Sequence, residues 1–320
     1  VQAIIDRPNI CGAVTFHTFS GVHLRPPSRY PDDEMAPEDL WIFKEFGKKG
    51  EELTGYPAIS NFHEFKYHPK EVITGVFDDW MYEHRGVHAW TTEIWSPQRQ
   101  AGITEYKYIE WFRDHPFEDD IKLLKWSDDK LDGKGHIDWY PFEHPQLGAV
   151  EIGGWDSGYA FRNPPLNYLE AEVKPFADWV IWQALASPKL EHRATMITPL
   201  SNGGASIRFI VQNAGYLPTN VTEIAKKKKL CRGVQGEIAR LGDAIAVGGS
   251  NTPPWLVSGK LRQDAGQLVG WSHIAASGFG WQNNSTDDCA VFEWVVSGPG
   301  TYVLTAWHER AGRVTEEVTV

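Results

Sequence analysis

The sequence is short of the features that most directly give a chain's class away. Three cysteines occur in 320 residues and no two form a Cys-x-x-Cys pair, which argues against a cysteine-built zinc site. No apolar stretch approaches the roughly 20 residues that a membrane helix needs. Basic charge is scarce, with 31 Lys and Arg against 42 Asp and Glu, a net charge of −11. Binding a phosphate backbone takes clustered Lys and Arg, so nucleic acid is not the expected partner. The one basic run, Lys226-Lys227-Lys228-Lys229, reads as a solvated loop or helix end. There is no Gly-x-Ser-x-Gly elbow, no phosphate-binding loop, no internal repeat and no low-complexity segment. No secretory leader is evident. The chain opens at Val1, in what reads as the last turns of a helix before a strand, as an internal cut would.

What is present suffices for two domains. The chain is 42% hydrophobic and holds 15 Trp, enough for sizeable cores. Residues 1–190 alternate helical and strand patterns. Helices are predicted at Val1–Asp6, Pro37–Leu53, Phe77–His84, Phe117–Lys130 and Pro165–Ala186, with Pro37 at an opening position and an acidic first turn at Glu118, Asp119 and Asp120. Strands are predicted at Gly12–Phe16, Val87–Trp95 and Val150–Ile152. This alternation gives an α/β domain with a mixed or parallel sheet. Past residue 195 short β-branched runs (Ser206–Val211, Ala290–Val296, Thr301–Ala306, Val314–Val320) are separated by Gly, Pro and Asn turns, the texture of an all-β sandwich over 191–320. The boundary is expected within Ser187–Thr198. Cys231 and Cys289 are candidates for a disulfide, with Cys11 a small buried residue. Trp in the sandwich suits core packing first and carbohydrate stacking second. Asn220-Val221-Thr222 and Asn283-Asn284-Ser285 are glycosylation-type triplets.

Two polar residues end apolar β runs in the first hundred positions. Ala13-Val14-Thr15-Phe16 runs into His17, and Val87-His88-Ala89-Trp90-Thr91-Thr92 into Glu93. Histidine is a common zinc ligand, and a glutamate beside zinc a common general base. For an isolated His17 the simpler reading is a hydrogen-bonded core histidine. Glu151, at the end of Val150-Glu151-Ile152 and before Gly153-Gly154, is an alternative base, or else a paired structural carboxylate.

These pieces resemble the C-terminal half of a zinc carboxypeptidase of the M14 (carboxypeptidase A-like) family followed by a β-rich accessory domain. Phe16-His17-Thr18-Phe19-Ser20 is similar to the family's His-Ser-Tyr-Ser segment. Gly75 through Asp79-Trp80-Met81-Tyr82 is similar to its Gly-x-x-x-Asp-Trp-x-Tyr stretch. Gly86 through Thr92-Glu93-Ile94-Trp95 is similar to the stretch that ends on its catalytic glutamate. Val150 through Trp155 with Asn163-Pro164-Pro165 resembles bacterial members. The resemblance implies Zn2+ as cofactor with His17 as a ligand, Glu93 (or Glu151) as general base, a peptide substrate, and an extracellular or periplasmic location.

It also implies what these 320 residues lack. The family's His-x-x-Glu ligand pair and its carboxylate-binding arginines belong upstream of His17, so the missing N-terminal half is an expected partner and the chain alone is expected to be inactive. The two His-x-x-Glu matches, His68–Glu71 and His115–Glu118, lie downstream of His17 and read as local loop chemistry. Tyr67 stands four residues before Glu71, which occupies the position of the family's mobile tyrosine. Asp78 aligns with the pocket floor and would favour a basic C-terminal residue, or it caps the helix that follows. Arg25 and Arg29 would instead favour an acidic one. A non-catalytic binding protein on a peptidase remnant, its sandwich holding a partner or glycan, and a zinc amidohydrolase acting on acyl-amino acids are the alternatives.

Overall fold

A computed structural model describes residues 1–201, 203–242, 252–273 and 286–320. The protein has mixed α/β content with several β-sheets, and contacts divide it into two compact units. One comprises Ala13–Tyr82 and Ala89–Trp182; the other comprises Val1–Gly12, Glu83–His88 and Gln183–Val320.

The first unit is organised by a four-stranded sheet of β1 (Gly12–Thr18), β2 (Val22–Arg25), β3 (Ala58–Ser60) and β4 (His88–Ile94), in the order β1-β4-β2-β3. It is mixed: β2 runs parallel to β3, pairing Leu24 with Ile59, and antiparallel to β4, pairing Val22 with Glu93. β4 is buried on both faces until Ile94, which suits the apolar and β-branched residues Ala89, Trp90, Thr91 and Thr92 at its centre. The helix Pro37–Thr54 opens with Pro37 in its first turn and closes on Gly55 at φ 72°, whose N–H returns to the Glu51 carbonyl. It lies close to the sheet because Gly47 faces β3: a Cβ there would sit 2.5 Å from Ala58 and 3.0 Å from Trp90. The helix Leu166–Leu185 sends Trp179 beneath the sheet, where its Nε1 donates to the Phe46 carbonyl at 3.1 Å and its ring lies 4.1 Å from His23. His23 is fully buried between the hydroxyls of Thr92 (3.0 Å) and Thr54 (2.8 Å), and burial lowers its pKa to about 3.

The predicted helix at Phe77–His84 divides into an α-turn, Phe77–Trp80, and a π-turn, Met81–Arg85. A separate two-stranded ribbon, β5 (His136–His144) with β6 (Gly148–Trp155), follows the helix Phe117–Leu131. β5 has no counterpart in the sequence reading. Pro141 interrupts its pattern and is tolerated because a two-stranded ribbon has only edges.

In the second unit β7 (Leu190–Pro199), β8 (Ala205–Asn213), β9 (Gln235–Arg240), β10 (Leu256–Ser258), β11 (Arg262–Asp264), β12 (Cys289–Val296), β13 (Thr301–His308) and β14 (Gly312–Thr319) form two four-stranded sheets. Their orders are β10-β12-β8-β7 and β11-β9-β13-β14. One core fills the space between them, with Phe209, Phe292 and Trp294 from the first sheet meeting Ile238, Tyr302 and Leu304 from the second. Trp255 and Trp294 are core residues, so packing is what these two serve. The basic run is a helix end: Glu223–Lys228 stops at Lys229 in the left-handed region.

Two expectations are corrected here. Cys231 and Cys289 do not pair, and all three cysteines are free. The Cys231 sulfur takes a contact from the Gln267 amide, and the Cys289 sulfur one from Arg193. The Asn220 triplet does not present a glycan acceptor: Asn220 is 3% exposed and its amide donates to the Thr222 carbonyl. The second triplet, Asn283-Asn284-Ser285, lies outside the described residues.

Candidate active site

β1 and β4 are neighbours, and each carries its polar residue one position before the end of the strand. His17 Nδ1 consequently lies 3.7 Å from Glu93 Oε1. The loop after His17 wraps the end of β4. Gly21 N–H donates to the Glu93 carbonyl and Ser20 N–H to the Trp95 carbonyl, both at 2.9 Å. Gly21 turns at φ 68° with Ser96 only 3.0 Å from where a Cβ would stand, so glycine is required for this closure. Trp95, itself at φ 79°, is held by the Tyr56 hydroxyl on its N–H and the Ala160 carbonyl on its Nε1. The positions of His17 and Glu93 are thereby tied to backbone rather than to mobile side chains.

The two groups differ in exposure. The His17 side chain is 53% accessible and that of Glu93 11%. Burial raises the Glu93 carboxyl to about 7. Its Oε2 is buried and finds no hydrogen-bond partner among the described residues. Tyr67 faces the same carboxylate: its hydroxyl pKa is raised by its own desolvation, then by the charges of Glu93 and Glu71. Its ring is about half exposed. Phe19, two residues beyond His17, meets Phe112 and Phe161 edge-on at 5.4 and 5.5 Å.

Asp78 is 1% exposed. Desolvation raises its pKa against opposing hydrogen bonds from Asn61 (2.8 Å to Oδ2) and Thr91. Thr91 and Glu93 lie two apart on β4 and share a face, so Asp78 belongs to the face that carries Glu93. It does not cap its helix; Val76 holds that position. Asp79 instead accepts from Ser28 N and Oγ.

The remaining candidates stand elsewhere. Arg25 is buried and forked onto Asp32 at 2.8 and 2.5 Å, so its guanidinium is already matched by a carboxylate within the chain. Glu151 sits exposed in the ribbon opposite Pro141 and makes no ion pair among the described residues. His68 Nδ1 accepts from the Lys70 N–H, and His115 bonds the Trp111 carbonyl and Asp120. Each His-x-x-Glu match therefore closes a local turn. Among the described residues no three His, Cys, Asp or Glu side chains gather as a metal-binding group. A zinc site normally takes at least three protein ligands. His17 offers one imidazole and Glu93 one carboxylate, so these residues do not make a zinc site on their own. Among the described residues no helix is long and apolar enough to cross a membrane.

Comparison with known proteins adds little. A family model described as "Domain of unknown function (DUF8731)" matches residues 189–319. No curated protein matches the chain. Among the solved structures that match is DesR, a beta-glucosidase from Streptomyces venezuelae in complex with D-glucose, at 12% identity and a TM-score of 0.19. The match covers 42% of this chain and 15% of that one.

Proposed function

We propose that residues 13–182 carry part of the active site of a carboxypeptidase-like peptide hydrolase, in which Glu93 is the general base. One observation carries the reading: two residues far apart in sequence, singled out for these roles, meet at 3.7 Å with the carboxylate buried and the imidazole open. A base that takes a proton from water near neutral pH works best with a pKa near that pH, and burial brings Glu93 there. Its unengaged Oε2 is the oxygen that receives the water proton and returns it to the departing amine. His17 is the imidazole of this chain suited to hold a zinc ion. A zinc ion held there would polarise the scissile carbonyl, and would need donors beyond His17 and Glu93 that are not gathered among the described residues.

The residues that complete the site, a peptide substrate, and an extracellular or periplasmic setting all belong to this proposal. The test uses the natural protein. Release of C-terminal amino acids from a peptide panel is followed for the wild type and for Glu93→Gln. Loss of about 10²–10⁴-fold in kcat/KM with the fold intact is expected. Undiminished peptide hydrolysis by the variant would remove Glu93 from the role. The 320-residue chain alone is expected to hold well under one zinc per chain by elemental mass spectrometry.

A further inference from the structure

Trp95 stands two residues beyond Glu93, with its backbone in the left-handed region at φ 79°. A Cβ makes that conformation unfavourable, and glycine is its usual occupant. A tryptophan persists there only where its surroundings over-determine it. Here three contacts do so. The indole is fully buried, lies 6.0 Å from the Trp126 ring and 5.4 Å from that of Tyr168, and donates from Nε1 to the Ala160 carbonyl at 3.0 Å. The Trp95 carbonyl accepts from Ser20 N–H at 2.9 Å. The third hold is Tyr56, whose hydroxyl oxygen accepts the Trp95 N–H, also at 2.9 Å.

The direction of this last bond is fixed. A backbone N–H can only donate, so the Tyr56 oxygen accepts there and its own proton goes elsewhere. It goes to Glu172, on the helix Leu166–Leu185. The other carboxylate oxygen of Glu172 accepts from the Gln100 amide at 2.8 Å. Tyr56 is 4% exposed. Burial first, and the Glu172 charge second, hold its pKa above the usual phenol range, so the proton stays on the phenol. The Arg99 guanidinium covers the ring at 4.6 Å. Donation therefore runs one way, from Trp95 through Tyr56 to a carboxylate that strengthens the bond by its charge.

What the Trp95 N–H controls is the end of β4. The strand is extended up to Ile94, and Trp95 turns the chain away from it. Without the Tyr56 oxygen this N–H would be a buried donor with no acceptor, which is unfavourable in its own right. That penalty and the left-handed strain would then fall on one residue. A rotation of Trp95 out of the left-handed region relieves both, and it carries the strand end with it. We propose that Tyr56, oriented by Glu172, is a positioning residue for Glu93: it holds Trp95 in the turn that keeps the Glu93 carboxylate out of water and beside His17. The role rests on the reading of Glu93 as the general base.

The test is the carboxyl 13C titration of Glu93 in chelator-treated protein carrying labelled glutamate, its signal identified by absence from Glu93→Gln. Wild type is expected to titrate at about 7. Tyr56→Phe keeps the ring and removes the oxygen, and Glu93 should then titrate at about 6 or below as its carboxylate gains water. Glu172→Ala should lower it as well, and Glu172→Gln, which keeps an acceptor for the Tyr56 proton, should restore it. Should Tyr56→Phe fail to fold, Glu172→Ala carries the same test. Tyr106→Phe removes a neighbouring hydroxyl, bonded to Ser96 Oγ at 3.2 Å, and should leave the titration unchanged. A wild type at 7 with no fall in Tyr56→Phe or Glu172→Ala would overturn the role of Tyr56 and leave Glu93 as a poised base. An equal fall in Tyr106→Phe would reduce the effect to general loosening and overturn it too. A wild-type Glu93 titrating at 4.5, its ordinary value, would remove the poised base itself and with it what Tyr56 is there to position.

Discussion

Glu93 is the residue at which function and stability pull apart. Its carboxyl is raised from an ordinary 4.5 to about 7 by burial alone, with one oxygen unpaired. A raised carboxyl pKa means the folded state holds a proton the unfolded state has released, so the cost appears as pH climbs from 4.5 towards 7. Above pH 7 it amounts to about 3 kcal/mol. Glu93→Gln keeps the shape without the charge. In chelator-treated protein at pH 8, urea unfolding of the variant should show a midpoint above wild type by about that free energy, and at pH 4.5 the two should coincide. Equal midpoints at pH 8 would mean that the carboxylate is solvated and not poised as a base. The pairing of Glu93 with His17 was legible in the sequence because each ends an apolar run on the same kind of sheet edge. Arg25 was not, because its partner Asp32 sits in a short turn seven residues on, and a loop of prolines gives no periodic signal of who meets whom.

At the scale of elements, local signals and long-range contacts were unequally readable. The helix Pro37–Thr54 announced itself through its helical spacing and through Pro37 at an opening position; the structure adds the acidic Glu38 and Asp39 in its first turn and Gly55 at its end. What sequence alone does not show is why Gly47 lies in its middle, where glycine costs about 1 kcal/mol relative to alanine. The answer is 2.5 Å of space to the Ala58 Cβ on β3 and 3.0 Å to Trp90 on β4. Gly47→Ala should therefore destabilise despite its better helix propensity, by about 1–3 kcal/mol from overpacking. Thermal unfolding reads this directly, and a raised melting temperature would show that the sheet can yield. Strand β5 was missed for the converse reason. Its residues follow no clean alternation, both faces of the ribbon are largely exposed, and Pro141 weighs against a strand. Pairing with β6, a tertiary fact, defines it. Four strands of the second unit, β8, β12, β13 and β14, were easier, and β8 and β12 bury alternate residues against one core; β7, β9, β10 and β11 have no counterpart in the sequence reading.

For the molecule as a whole, each unit hides a neutral histidine, and the units should answer acid differently. His23, in the unit of Ala13–Tyr82 and Ala89–Trp182, is lowered to about 3, and His308, in the sandwich unit, to about 4. A lowered histidine pKa means that the unfolded chain binds the proton first. Stability is then complete above 6.5 and lost as pH falls towards the folded value. Between pH 7 and 4.5 each histidine withdraws about 2–3 kcal/mol. In the His23 unit Glu93 works in the opposite sense over the same interval, gaining about 3 kcal/mol as it protonates, and Asp78, also raised by burial, adds in that direction. Hydrogen exchange followed peptide by peptide should accordingly show protection in 190–320 falling as pH drops from 7 to 4.5, once the intrinsic pH dependence of exchange is removed. Protection in 13–182 should hold. In Glu93→Gln the compensation is weakened, and the same segment should become acid-sensitive. If wild type and variant lose protection in 13–182 alike, Glu93 is not the group that balances His23, and its carboxyl titrates as an ordinary one.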